Sequence, residues 1–195
     1  MLFTKHGFIV LIKNKENCVR AEDFRPITLL NSDYKILSKI LAARIKQFLP
    51  NIIHVTQKGG VSGRTIFDVT CEIRDAIKYV NHAKIKSILV SLDFKRAYDT
   101  VNHEYLFSTL LKYEFSSTFV NHIKCLYTNI TSVLQINGCY SQPFQIQKSV
   151  RQGCPLSMYL FILSLNPILY ELHNQIKGIN LLNGKLSTIA YADDI

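Results

Sequence analysis

Tyr191-Ala192-Asp193-Asp194 stands beside the last residue, Ile195, directly after Lys185-Leu186-Ser187-Thr188-Ile189-Ala190, which reads as a short β-strand. Two adjacent carboxylates at a strand tip, flanked by apolar residues, repel each other, and a divalent cation removes that cost. A third carboxylate from elsewhere would let the site hold two metals and support phosphoryl or nucleotidyl transfer. An Asp pair after a strand also fits an ordinary turn, because Asp favours turns and caps. The metal reading therefore needs a third acid and a nucleotide site from the rest of the chain.

Lys86-Ser87-Ile88-Leu89-Val90-Ser91-Leu92 is the clearest strand signal, a near-continuous apolar run that implies burial. It ends at Asp93, the candidate third acid, for which a helix cap after a strand is the alternative. Phe94-Lys95-Arg96-Ala97-Tyr98-Asp99 follows, and a short turn would return Tyr98 beside Asp93. Asp99 is placed to cap a helix over 102–112.

Upstream, Phe8–Ile12 and Phe24–Leu30 read as two strands of a hairpin, with Pro26 holding Arg25 extended. This hairpin is expected to present Lys13, Lys15 and Arg25 on one side, either toward a ligand or simply toward solvent. Asn31-Ser32-Asp33 is cap chemistry for a helix through about Leu49, with Leu37, Ile40, Leu41, Ile45 and Phe48 in its apolar stripe and Pro50 as its stop. Gln57-Lys58-Gly59-Gly60-Val61-Ser62-Gly63-Arg64 is a glycine-rich basic loop without the spacing of a Walker motif. It fits a nucleic-acid-backbone contact or a plain loop about equally. Thr65–Val80 and Thr118–Tyr127 have helical patterns. Asn137-Gly138 between two apolar runs predicts a type I′ hairpin, with Pro143 keeping the second strand at an edge. Ser149–Ser157, with Arg151, Gln152 and Gly153, leads into a helix to about Leu172 in which Pro167 predicts a kink.

Composition sets limits on partners. Lys and Arg number 23 against 14 Asp and Glu, a formal charge of +9, which suits a phosphate-rich partner and equally a merely basic protein. Hydrophobic content of 48% supports a core and argues against global disorder. The five cysteines, Cys18, Cys71, Cys125, Cys139 and Cys154, have no zinc spacing and read as reduced thiols of a cytoplasmic or nuclear protein. The longest apolar run, Met158–Leu165, is far short of a membrane span. The sequence specifies no oligomeric state.

Five stretches in order resemble the reverse transcriptase domain of LINE-type (non-LTR) retrotransposons. They are Phe24–Asn31 with Lys35-Ile36-Leu37, Gln57–Arg64, Ser91-Leu92-Asp93 through Tyr98-Asp99, Arg151–Ser157, and Tyr191–Asp194. The resemblance implies an α+β right-hand polymerase fold, with fingers over about 1–85 and 113–148 and an incomplete palm over about 86–112 and 149–195. It implies that Asp93, Asp193 and Asp194 are catalytic and hold two Mg²⁺ ions, or Mn²⁺, with the Phe94 backbone carbonyl. Tyr98 matches the steric gate against a nucleotide 2′-hydroxyl, and Gln152 and Gly153 match the loop lining the incoming nucleotide. Arg25 and one of Lys13 and Lys15 match the triphosphate clamp, while Gly63, Arg64 and Arg151 match nucleic-acid contacts. RNA template, DNA primer and dNTPs are the implied partners, with no membrane.

The chain departs from the family pattern in having Lys13-Asn14-Lys15 where a Pro-Lys is usual, Gly59-Gly60-Val61 where many members have Gly-Phe, and Met158 after the serine. It stops one residue past the acidic pair. The returning strand, primer grip, thumb and endonuclease are therefore expected outside these residues, and the chain is expected to be a fragment with little activity alone. A non-catalytic RNA-binding protein on a polymerase-derived fold, a group II intron-type maturase and a bland basic domain are the competing readings.

Overall fold

The computed structural model describes residues 5–13, 16–17, 19–181 and 184–195. Lys15 and Cys18 lie outside them. A mixed sheet takes up the N-terminal part. Strand β1 (His6–Lys13) pairs antiparallel with β2 (Phe24–Leu30) and parallel with β3 (Thr131–Ile136), and β4 (Cys139–Tyr140) and β5 (Phe144–Gln145) both pair with β3. The expected hairpins are both present. Asn137 and Gly138 have φ of 50° and 81°, the paired positive angles of a type I′ turn.

The helices are α1 (Ser32–Lys46), α2 (Leu49–Ile52), α3 (Ile66–His82), α4 (Ala97–Thr100), α5 (His103–Lys112), α6 (Ser117–Tyr127) and α7 (Ser157–Gln175). The core forms around α7, whose Leu160, Ile162, Leu163 and Leu169 are fully buried with Leu106 and Leu110 of α5, Ile123 of α6 and Ile45 of α1. Pro167 lies inside α7, which continues through it to Gln175, a little beyond the expected end at Leu172. Helix α1 ends before Pro50, and Pro50 instead opens α2, where a missing N–H costs nothing. The buried stripe of α1 is Tyr34, Ser38, Leu41, Ala42 and Ile45, while Ile40 and Phe48 face outward.

The expected strand over 86–92 is not formed. Ile88, Leu89 and Val90 are 90%, 72% and 63% exposed. A strand needs a neighbour for its backbone groups. Among the described residues, only the Ile195–Leu92 and Asp194–Asp93 pairings reach this segment. The terminal stretch differs too: instead of one strand over 185–190 there is a small hairpin of β6 (Ile179–Leu181) and β7 (Gly184–Leu186). Among the described residues no helix is long and apolar enough to cross a membrane.

Candidate active site

The acidic pair sits on a tight turn. Tyr191 N–H donates to the Asp194 carbonyl at 2.9 Å, Asp194 N–H donates back at 3.2 Å, and Ala192 takes a left-handed φ of 54°. Leu92 and Ile195 exchange backbone hydrogen bonds of 2.6 and 3.0 Å, and Asp93 forms an antiparallel bridge with Asp194. An acid from the middle of the sequence and one from its last residues are thus backbone neighbours. Among the described residues no three His, Cys, Asp or Glu are grouped closely enough to hold a metal. The donor set is hard oxygen, as magnesium prefers, so it suits a divalent ion in kind.

Tyr98 lies at the same place. Its carbonyl accepts from Val150 N–H at 2.8 Å, and its ring packs against Phe161 with centroids 5.1 Å apart. Burial, and after it the charge of Asp193, raise the phenol pKa, which places the Asp193 carboxylate within electrostatic reach of the ring. Burial raises the Asp99 pKa, opposed by Arg96 and by a hydrogen bond with Ser149. Asp99 does not cap the next helix. Asn102 does, accepting from Tyr105 N–H at 3.1 Å.

The Gln152–Gly153 loop is fastened to the sheet. Thr28 N–H donates to the Gln152 carbonyl at 2.8 Å. Gly153 has φ of 102°, and a Cβ there would stand 2.6 Å from the Thr28 carbonyl oxygen, so only glycine fits.

Several expected contacts are corrected by the geometry. In the β1–β2 register Arg25 faces Ile12 and Lys13 faces Phe24, so alternation sends Arg25 and Lys13 to opposite faces rather than to one. Arg151 is 1% exposed and lies over the Tyr34 ring, with Nη2 donating to the carbonyls of Lys5 and Thr131. Its buried position removes it from nucleic-acid contact. Arg64 is committed as well: Nη1 donates to the carbonyls of His54 and Gln57, each at 2.7 Å, and Nη2 to those of Pro50 and Ile53. These bonds tie the loop to the end of α2. Lys58 is paired with Glu72 of α3 at 2.7 Å. Gly63, exposed with φ of 81°, is the expected contact residue of this loop that stays open.

The sequence reading missed Gln57. It is 0% exposed, and its side-chain carboxamide meets the acidic turn: Nε2 donates to the Ala192 carbonyl at 3.0 Å, and Oε1 accepts from Ala192 N–H at 2.9 Å. Gly59 packs so closely that a Cβ would collide with the Ala192 backbone nitrogen. The adjacency of Gln57 to a double glycine was the available signal, since glycines mark close backbone approach.

The family profile described as Reverse transcriptase (RNA-dependent DNA polymerase) matches residues 12–195. The chain belongs to the reverse transcriptase family. Relatives include the transposon TX1 uncharacterized 149 kDa protein of Xenopus laevis, 37% identical over the whole chain and 14% of that protein. Another is the retrovirus-related Pol polyprotein from the type-2 retrotransposable element R2DM of Drosophila melanogaster, 29% identical over 95% of the chain and 17% of that protein. The chain thus spans 14% and 17% of these two relatives' lengths. An apo telomerase from Candida tropicalis, truncated from its C-terminal domain, superposes with a TM-score of 0.58 at 13% identity, over 98% of the chain and 43% of the telomerase. That likeness carries the fold, the right-hand polymerase architecture. In this reverse transcriptase chain the family's ordered stretches are also spatial neighbours: the Gln57 loop and the Asp93 segment both touch the acidic turn, and the Gln152 loop touches β2.

Proposed function

We propose that this chain carries the nucleotide-adding centre of an RNA-directed DNA polymerase from a LINE-type transposable element. Residues 86–112 and 149–195 act as palm and the remainder as fingers. The observation that supports it most is the backbone pairing of Asp93 with Asp194, which joins two motifs from distant parts of the sequence.

Asp93, Asp193, Asp194 and the Phe94 carbonyl would hold two Mg²⁺ ions, with Mn²⁺ as a substitute. When bound, the metals lower the pKa of a primer 3′-hydroxyl and neutralise the triphosphate leaving group. The Tyr98 ring, fixed against Phe161, excludes a 2′-hydroxyl and so favours dNTPs. Gln152 and Gly153 line the nucleotide from a loop anchored on Thr28, and exposed Arg25 on the same strand offers a planar guanidinium fork to phosphate oxygens. The excess of 23 basic over 14 acidic residues favours an RNA template and DNA primer. The free thiols of Cys71, Cys125, Cys139 and Cys154 suit a cytoplasmic or nuclear setting.

The test is single-nucleotide addition to a primer on an RNA template with Mg²⁺, which requires no translocation. The expected result is slow addition of a dNTP that Asp193→Ala abolishes while RNA binding stays intact. Equal addition by parent and variant would overturn the metal assignment.

A further inference from the structure

We propose that Gln57 is the positioning residue of the acidic turn, gripping the Ala192 peptide through its side-chain carboxamide while Arg64 fixes Gln57 from behind. The role in catalysis rests on the reading of Asp193 and Asp194 as metal ligands. The mechanical role stands on the geometry alone.

The Leu92–Ile195 bonds hold the far end of the turn, and its Ala192 tip is held by Gln57. Its own closure is the Tyr191–Asp194 pair, Ala192 sits in a left-handed conformation that side chains disfavour, and two carboxylates follow it. Gln57 supplies what a neighbouring strand would. Its carboxamide has the donor and acceptor of a peptide group, and it engages both the N–H and the C=O of Ala192. Oε1 also accepts from Gly59 N–H at 2.8 Å. That fixes the orientation of the amide, because a flipped group would set NH₂ against two N–H donors and oxygen against a carbonyl. Backbone bonds on either side continue the contact: Lys58 N–H to the Ala190 carbonyl at 2.8 Å, and Ala190 N–H to the Thr56 carbonyl at 2.9 Å. Arg64 Nη1 on the Gln57 carbonyl at 2.7 Å sets the main chain from which the carboxamide reaches. A loop that the sequence offers to nucleic acid is therefore the seat of the acidic turn.

The experiment uses the 195-residue chain, with amide exchange and Mn²⁺ line broadening followed by NMR. Gln57→Met keeps the volume and removes all three bonds. Gln57→Glu keeps the acceptor but sets a carboxylate against the Ala192 carbonyl. In Gln57→Met the Ala192 amide should exchange about tenfold faster or more, the scale of one lost buried hydrogen bond, with the amides of α7 unchanged. Gln57→Glu should accelerate it less, and both should weaken Mn²⁺ broadening at Asp193. Ala192 exchange within about twofold of the parent in both variants would overturn the assignment. Asp193→Asn separates the two readings: it should abolish Mn²⁺ broadening while leaving Ala192 protected. If the parent shows no Mn²⁺ response but Gln57→Met still frees Ala192, the metal reading falls and the positioning role stands.

Discussion

His54 lies edge-on to Tyr170, with ring centroids 4.5 Å apart, and against His173 at 4.7 Å, and its Nδ1 meets the Thr56 hydroxyl. Burial first, then His173 and Arg64, lower its pKa below the ordinary 6.5. Between the two values the unfolded chain binds more protons than the folded one, so stability rises with pH there. Thermal denaturation should therefore show a Tm that falls as pH drops below about 6.5. His54→Asn, which retains a partner for Thr56, should remove the part of that slope owed to His54; an unchanged profile would contradict the argument. Tyr98→Ala belongs to the same scale: it should raise ribonucleotide use relative to dNTP use in a nucleotide-addition assay, and unchanged discrimination would end the gate assignment. At single residues, identity was legible but commitment was not. Asp93, Asp194 and Tyr98 stood out by type and position, whereas Arg64 and Arg151 were read as nucleic-acid contacts. Whether a guanidinium faces carbonyls or solvent depends on tertiary contacts that a one-dimensional pattern does not contain.

The elements explain why small changes near the site should act at a distance. Gly59→Ala introduces a methyl group against the Ala192 nitrogen and should displace the acidic turn, giving a large fall in nucleotide addition with little change in Tm. Gly153→Ala adds left-handed strain and a collision with the Thr28 carbonyl. Leu160→Ala removes a fully buried side chain of α7 and should cost about 2–5 kcal/mol in denaturant unfolding. Asn137-Gly138 makes the turn that the sequence predicts, whereas the capping box of α3, Thr65 with Asp68, was not picked out. The segment 86–92 was misread because an apolar run reports a preference for burial, while strand formation requires a partner along its length. The stripe of α1 moved because Tyr34 and Ser38, polar in part, are buried with their hydroxyls satisfied: Tyr34 donates to the Leu126 carbonyl of α6 at 3.4 Å and Ser38 to the Lys35 carbonyl at 3.0 Å.

At the scale of the whole molecule, two distant parts of the sequence meet through backbone contacts at the acidic turn, and the chain as a whole carries a surplus of positive charge. The charge of +9 predicts that RNA affinity falls steeply with salt, log K declining linearly with log salt; salt-insensitive binding would argue against phosphate recognition. The fold class was legible because five motifs appeared in family order, and that order encodes topology. What the order leaves out is how the turn is held, since Gln57 acts through two polar atoms inside a loop with no helical or strand period. The most direct measurement is Mn²⁺ affinity, titrated by water-proton relaxation, for the parent, Asp93→Asn, Asp193→Asn and the double variant. One shared site predicts that each single change weakens binding by about tenfold or more and that the double falls short of their product. Unchanged affinity in Asp93→Asn would mean that the two stretches do not share a cation, and would contradict the account.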